Sequence, residues 1–225
     1  MKKCKSVLQV IIYLFDYKRE LNAMFVGTRK FYKILYFLTA MSPAYFLFLL
    51  QIKEKYAKLL NKKIWCVSYD SIITFTILSI PIVALILGFL LKKILVYQYK
   101  KGTNEQVINN KEQFKLRHIQ QKNGNVISFL LGNIFPSVII IENNIIICVI
   151  FFIVLQFLIF KVIMNSTDIF PNVILILYKV DIVQTNLGKY SFVFYEKSKN
   201  DTFKVYQIGK PFISKLYITK YETRD

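Results

Sequence analysis

The sequence predicts an integral membrane protein that is mainly α-helical, with a four-transmembrane-helix bundle and a small C-terminal cytoplasmic β-rich domain. Four runs of 16 to 21 residues carry no charged side chain. The chain is 55% hydrophobic and only 20% charged, yet its formal net charge is +18. Beyond residue 165, short stretches rich in Val, Ile, Phe and Tyr alternate with turn residues, which is typical of a small sheet.

This composition argues against a soluble nucleic-acid-binding domain, which would carry more charge and fewer Ile, Leu and Phe residues. Basic residues of a membrane protein can instead face anionic lipid headgroups, so membrane lipids are expected partners. The three cysteines stand apart and the chain has one histidine, so we predict neither a metal site nor a disulfide framework.

Residues 1–33 form a basic N-terminal segment with a short apolar stretch at residues 7–15. Charged residues follow that stretch where a signal peptide would place small residues for cleavage. We therefore predict an uncleaved helix at the membrane interface, although insertion of residues 7–15 stays open.

The first two predicted spans cover residues 34–52 and 71–91. The second span is 21 residues without a charge, about 31 Å as a helix, which matches the hydrocarbon thickness of a bilayer. Pro43 and Pro81 lie within these spans and predict helix kinks. A polar cytoplasmic loop, residues 92–125, follows, and residues 105–121 within it could form a further helix.

The third and fourth predicted spans, residues 126–141 and 145–163, form a hairpin around a three-residue polar turn. Pro136 predicts another kink in the third span. Asn133 and Gln156 are polar groups inside the apolar runs, and they could either hydrogen-bond between helices or line a pore. No Asp, Glu, Arg or His lies within the hydrocarbon zone, which argues against an ion-coupled transporter.

The domain at residues 165–225 is predicted to be an antiparallel sheet with strands near residues 174–183, 190–196, 203–208 and 214–221. Tyr190, Phe192 and Phe194 alternate and should share one face. Because so small a sheet has a thin core, it should lean on the membrane domain or on a partner.

Counting Lys and Arg predicts the topology. With the N-terminus inside, the cytoplasmic segments hold 26 of these residues and the outer loop holds five. The positive-inside rule therefore favours a multi-pass protein of the cytoplasmic (inner) membrane with both termini in the cytoplasm.

No catalytic or cofactor-binding constellation is visible in the sequence. There is no nucleophile motif, no phosphate loop and no cluster of carboxylates, so we expect neither an enzyme nor a small-molecule substrate. The basic cytoplasmic side could serve lipid binding and topology alone, or it could dock an acidic partner.

The layout resembles a known family. The shared features are the four-span order, the basic second loop, the short third span ISFLLGNIFPSVI, and the text NSTDIFPNVILILYKVDIV that leads into the sheet. These residues are similar to the membrane subunit of the Kiwa bacterial anti-phage system, the KwaA family, over residues 30–220. The resemblance is carried by diffuse patterns around Phe135-Pro136 and Phe170-Pro171-Asn172, and here the order Pro171-Asn172 departs from the Asn-Pro that members often have.

The resemblance implies a homo-oligomeric sensor of phage-induced membrane disturbance that recruits a cytoplasmic DNA-binding subunit, KwaB. The long loop and the sheet would then form the docking surface, with candidate residues Lys111, Lys115, Arg117, Lys204, Lys210 and Lys215. Two alternatives stay open. One is a small oligomeric pore or effector that depolarises the cell, with Asn133, Gln156 and the kinks along its pathway, and the other is an accessory protein similar to bacteriocin-immunity proteins.

Overall fold

A computed structural model of the chain describes residues 23–56, 63–64, 67–102, 114–115, 118–138, 144–195, 204–210 and 213–221. The predicted interfacial stretch at residues 7–15 lies outside this part. The helices are α1 (Lys30–Ala40), α2 (Ser42–Lys55), α3 (Tyr69–Lys101), α4 (Val126–Phe129), α5 (Phe135–Val138), α6 (Ile145–Asn165) and α7 (Val173–Leu177), with a π-helical turn, Leu130–Ile134, between α4 and α5. The strands are β1 (Lys63–Ile64), β2 (Val67–Ser68), β3 (Ile119–Lys122), β4 (Val180–Thr185), β5 (Tyr190–Phe194), β6 (Val205–Gln207) and β7 (Leu216–Lys220).

Helices α3 and α6 are each long and apolar enough to cross a membrane. Both expose large apolar side chains, such as Phe75 at 75% and Val162 at 68% of their surface. Exposure of this size would be unfavourable in water but suits contact with lipid chains. The span predicted at residues 71–91 lies within α3, and α3 continues beyond it to Lys101 as one unbroken helix.

The first predicted span, residues 34–52, is divided at Met41 into α1 and α2. The two helices meet at 47°, so the pair is either one bent span or a re-entrant element. Pro43 lies in the first turn of α2, where its missing N–H costs no hydrogen bond. Its effect is therefore to begin a new helix rather than to bend an existing one.

Residues 126–138 do not form one continuous helix. The chain passes from α4 through the π-helical turn into α5. Pro136 has no N–H to give to the carbonyl of Gly132, and a helix commonly widens or bends where such a bond is missing. Among the described residues, two or three elements are therefore long enough to span a membrane, and a bundle of four comparable helices is not found.

The larger sheet has five strands in the order β3-β4-β5-β7-β6. The prediction of a purely antiparallel sheet is wrong at one place, because β5 and β7 run parallel. The sheet also takes β3 from the loop at residues 92–125, so it extends beyond the predicted domain at residues 165–225. Within residues 105–121, which could have formed a helix, Ile119–Gln121 lie in this strand instead.

The strand predicted at residues 174–183 is also partly wrong, since α7 occupies its first half. Apolar runs such as VILIL are compatible with both a helix and a buried strand, and the sequence pattern alone does not separate them. The side chain of Asn172 accepts a hydrogen bond from the backbone N–H of Leu175 and so caps the helix.

The sequence predicts that the sheet leans on the membrane domain or on a partner, and one of its faces packs directly against the helices. Tyr190, Phe192 and Phe194 join α1 and the end of α3 in a single hydrophobic core. The opposite face is also buried, and there Phe114 packs with Val205 and Tyr217. The membrane helices and the sheet therefore share one continuous core.

Candidate functional site: the joint between the membrane helices and the sheet

The segment that follows α6 connects the membrane helices to the sheet through Asn172. This side chain is 2% exposed. Its Nδ2 donates to the hydroxyl of Thr39 at 2.8 Å and to the carbonyl of Tyr36 at 3.2 Å, while its Oδ1 caps α7. One amide thus joins α1 to α7 and leaves none of its own polar atoms unpaired.

Tyr36 provides a second connection at the same place. Its hydroxyl donates to the carbonyl of Phe170, and the residue is fully buried. The ring lies 5.0 Å from that of Phe25 and 6.4 Å from that of Phe192 on the sheet, measured between centroids. Tilted and edge contacts of this kind add to the free energy of burial.

The end of α3 completes this region. Tyr99 makes edge contacts with Phe194 at 5.1 Å and Tyr206 at 5.4 Å. Closer to the membrane, Gly88 meets α7, and a Cβ there would lie 2.3 Å from a methyl group of Ile174. Only glycine permits so close an approach of the two helices. We call the set Tyr36, Thr39, Gly88, Tyr99, Phe170 and Asn172 the joint.

In the membrane half, the bend between α1 and α2 has its own polar partners. The carbonyl of Thr39, which cannot receive an N–H from Pro43, accepts a hydrogen bond from the hydroxyl of Ser42 at 2.9 Å. The backbone N–H of Ala44 donates to Oδ1 of Asn133 at 3.3 Å. Asn133 is fully buried, so it links the π-helical turn to the start of α2.

Gln156 differs from Asn133. It is 7% exposed on α6, and within the described residues neither its oxygen nor its nitrogen has a hydrogen-bond partner. Within the described part of the chain, Gln156 therefore makes no interhelical hydrogen bond. The same helix face packs by apolar contact, as the rings of Phe152 and Phe48 stack at 3.8 Å.

The far end of the molecule is held by a polar contact of another kind. Lys53 at the end of α2 donates to the hydroxyl of Thr74 at 2.6 Å and lies 3.7 Å from the carboxylate of Asp70. Asp70 also lies in the first turn of α3, where a negative charge complements the helix dipole. This contact fixes α2 to α3 opposite the sheet.

Comparison with models of known protein families shows to which family the chain belongs. The family model of the anti-phage protein KwaA matches residues 32–218. The chain belongs to the KwaA family. No curated protein and no solved structure matches it. The match begins in α1 and ends in β7, so the KwaA family unit includes both the membrane helices and the sheet, and the joint lies entirely within it.

The candidate docking residues of this KwaA family member are dispersed. Lys111 and Arg117 lie outside the described residues. Lys115 follows Phe114, whose ring packs 5.0 Å from that of Tyr217 on the sheet face opposite the helices. Lys204 precedes β6 and Lys215 precedes β7, and because these strands are antiparallel the two lysines lie at opposite ends of the pair. The carbonyl of Lys204 accepts a hydrogen bond from the hydroxyl of Thr219, and the carbonyl of Lys215 accepts one from the backbone N–H of Tyr190.

Lys210 lies elsewhere, beside the start of α1, where its backbone N–H donates to the carbonyl of Gly27 at 2.9 Å. The described docking candidates therefore surround the sheet rather than form one tight cluster.

The predicted kink residues Pro81 and Pro136 lie in different settings. Pro81 is exposed on the uninterrupted helix α3, whereas Pro136 is buried after the π-helical turn.

A buried carboxylate in the sheet was not found by sequence reasoning. Asp181 is 6% exposed and accepts hydrogen bonds from Asn123 at 2.6 Å, Tyr221 at 2.7 Å and Lys122 at 2.9 Å. Burial alone would raise the pKa of Asp181, but these three donors and the lysine charge together hold it below its ordinary value. Its partners come from two separate parts of the chain, residues 122–123 and residue 221, so no local motif reveals the cluster.

The part of the chain that the structure describes contains no group of three or more His, Cys, Asp or Glu side chains that could hold a metal ion. The arrangement instead suits mechanical coupling. Hydrogen bonds in the joint fix α1 to α7 and to the segment before it, and aromatic contacts connect α1 and α3 to the sheet. In the membrane half, α6 packs on α2 through apolar contact.

Proposed function

We propose that the protein is a membrane-embedded sensor and scaffold of an anti-phage defence complex, which recruits a cytoplasmic DNA-binding partner. The observation that carries this proposal is the joint. Because the sheet and the helices share one core, a change in the helices is transmitted to the sheet without an intervening flexible linker.

The bend at Met41 provides a place where such a change can begin. Helix α1 belongs to the core of the sheet, whereas α2 packs with α3 and with the π-helical turn. The two helices meet at 47° with Pro43 in the first turn of α2. A disturbance of the bilayer acts on α2, and the bend converts its movement into strain on α1 and the sheet.

Recruitment depends on the basic residues that surround the sheet. Both sheet faces are buried, so a partner has access to the edges and the connecting segments, where Lys115, Lys204, Lys210 and Lys215 lie. A net charge of +18 favours an acidic partner surface and accelerates its encounter. We place this end in the cytoplasm by the positive-inside rule, and we propose a homo-oligomeric, non-enzymatic protein.

Charge reversal tests the docking surface. The variants combine Lys111→Glu, Lys115→Glu and Arg117→Glu in one set, and Lys204→Glu, Lys210→Glu and Lys215→Glu in another. Each set should abolish co-purification of the partner encoded by the neighbouring gene, since like charges would then face each other across the interface. Lys93→Glu on α3 is the matched control and should leave the complex intact.

Unchanged binding in both sets would remove these segments from the interface. If only one set fails to bind, the interface is confined to that side of the sheet. Size-exclusion profiles of the variants without partner must match the wild type, so that loss of binding is not loss of folding.

A second candidate function, a small pore or effector, is favoured by one observation: the unpartnered amide of Gln156 in the middle of α6. If several copies assembled around this face, such amides could line a polar pathway. Ion flux through liposomes that contain the purified protein distinguishes the two functions. The scaffold proposal expects no flux, whereas flux abolished by Gln156→Leu would establish the pore.

A further inference from the structure

A cavity of about 270 Å³ lies between the start of α1 and the end of α3, above the edge of the sheet. Its lining includes Arg29, Tyr32, Tyr97, Lys101 and Gln207. None of the residues that line it is acidic. The cavity belongs to neither the joint nor the candidate docking lysines, so the proposed function gives it no role.

The strongest sign of a ligand is Tyr32. The residue is 3% exposed, and its hydroxyl has no hydrogen-bond partner among the described residues. A buried hydroxyl without a partner is destabilising, so such groups are rare unless a bound molecule satisfies them. Tyr32 is part of the cavity lining, and its hydroxyl lies within electrostatic range of Arg29, another lining residue, so an acceptor held by Arg29 can receive its hydrogen bond.

The charges around the cavity define the acceptor as an anion. Arg29 and Lys101 supply two cations, and the hydroxyl of Tyr97 holds the Lys101 ammonium at 3.0 Å. Arg29 is also the N-cap of α1, which has neither a capping side chain nor an acidic residue in its first turn. The positive end of the α1 dipole is therefore not neutralised by the chain itself.

A phosphate group matches this set of donors. Its several oxygens can accept at once from a guanidinium, an ammonium and a hydroxyl, and helix N-termini commonly bind phosphate. We propose that the cavity is a binding site for a phosphate-bearing anion that bridges the start of α1 and the end of α3. A ligand at this position would link the helix that leads to the Met41 bend with the longest membrane helix.

The depth of the cavity favours a soluble ligand over a lipid headgroup. Lys92 is the first charge after the apolar part of α3, and the cavity residues Tyr97 and Lys101 lie five and nine positions further along the helix. At 1.5 Å per residue they stand about 8 to 14 Å beyond the hydrocarbon boundary. The headgroup layer is only about 5 to 8 Å thick on each side.

Two experimental arms test the site and distinguish the sources of phosphate. In the first, inorganic pyrophosphate is titrated into the detergent-purified full chain and binding is followed by thermal unfolding. In the second, native mass spectrometry counts the phosphatidylglycerol molecules that the protein retains. Each arm compares the wild type with Arg29→Gln, Tyr32→Phe and Lys101→Gln, and with Lys30→Gln as a control that removes a neighbouring charge outside the cavity.

The expected result in the first arm is saturable stabilisation by pyrophosphate, weakened about tenfold by Arg29→Gln and by Tyr32→Phe. Lys30→Gln should bind as the wild type does. If lipid retention rather than pyrophosphate binding shows this pattern of losses, the site takes the same phosphate chemistry from a headgroup. Tyr32→Phe keeps the ring, so its melting temperature without ligand reports whether the fold is intact. The proposal is overturned if neither pyrophosphate binding nor lipid retention depends on Arg29 and Tyr32.

Discussion

The joint and helix α6 differ in how they accommodate a buried amide side chain. In the joint, Asn172 and Tyr36 place every side-chain polar atom in a hydrogen bond. In the membrane half, Gln156 is buried with no partner for either polar atom of its amide within the described residues. Satisfied networks specify one arrangement, whereas an unsatisfied group leaves alternatives with similar free energies.

The difference indicates where the protein is rigid and where it can adapt. The apolar contact between Phe48 on α2 and Phe152 on α6 has no directional partner and allows α6 to slide against α2. The hydrogen bonds of the joint do not allow such sliding, because each has a fixed direction and a fixed partner. The proposed sensor role requires both properties, because the protein would have to respond to the bilayer and present a fixed surface to a partner.

The largest expected effect comes from breaking the joint. Asn172→Ala removes the cap of α7 and both bonds to α1, and should lower the free energy of unfolding by about 2–4 kcal/mol. Thermal unfolding in detergent measures the change. The matched control is Asn144→Ala, which removes the exposed cap of α6 only and should cost about 1 kcal/mol. Equal losses in the two variants would show that the joint adds nothing beyond a cap.

A smaller loss is expected at Asn133, a buried and hydrogen-bonded amide of the membrane half. Asn133→Leu leaves the N–H of Ala44 without an acceptor and should destabilise the protein by about 1 kcal/mol, since hydrogen bonds inside membranes are individually modest. Thermal unfolding in the same detergent reports the change. No loss of stability would mean that the bend between α1 and α2 does not depend on this contact.

Gln156→Leu should act in the opposite direction. It replaces an unpaired buried amide with an apolar side chain of similar size, so we expect a gain of about 0.5–1 kcal/mol in the same unfolding assay. A loss of stability would show that the amide has a partner in the assembled protein, and it would favour an interface between copies. The expected changes in the free energy of unfolding at Asn133 and Gln156 therefore have opposite signs, and measuring both tests the comparison directly.

The last prediction depends on pH and concerns Asp181. Its pKa is lowered on folding, so its contribution to stability is complete above the ordinary value of 3.8 and is lost as the pH falls below that value. Asp181→Asn should remove this part of the acid sensitivity. Unfolding temperatures of both proteins between pH 3 and pH 7 check the expectation, and parallel curves would contradict it.

Sequence reasoning found the elements whose signals are local. Uncharged runs with polar ends located α3 and α6, and alternating aromatic residues located β5 together with its buried face. Turn residues after β5 and before β7 bounded the remaining strands.

The remaining features depend on contacts between distant residues. The partner of Asn133 is the backbone of Ala44, 89 positions away, and the partner of Asn172 is Thr39, 133 positions away. Hydrophobic patterns carry no information on such pairs. The family resemblance includes Phe170-Pro171-Asn172, but the role of this segment depends on its contacts with α1, which the sequence does not reveal. The pairing of β3 with β4, which brings Lys122 to Asp181, was hidden for the same reason.

The most direct test of the account is affinity purification of the tagged protein from membranes, with its neighbouring gene product co-expressed. We predict a stable complex with a soluble, DNA-binding neighbour that stays in the membrane fraction only when the tagged chain is present. A clean preparation of the chain alone, with the neighbour remaining soluble, would contradict recruitment and shift the weight to the pore.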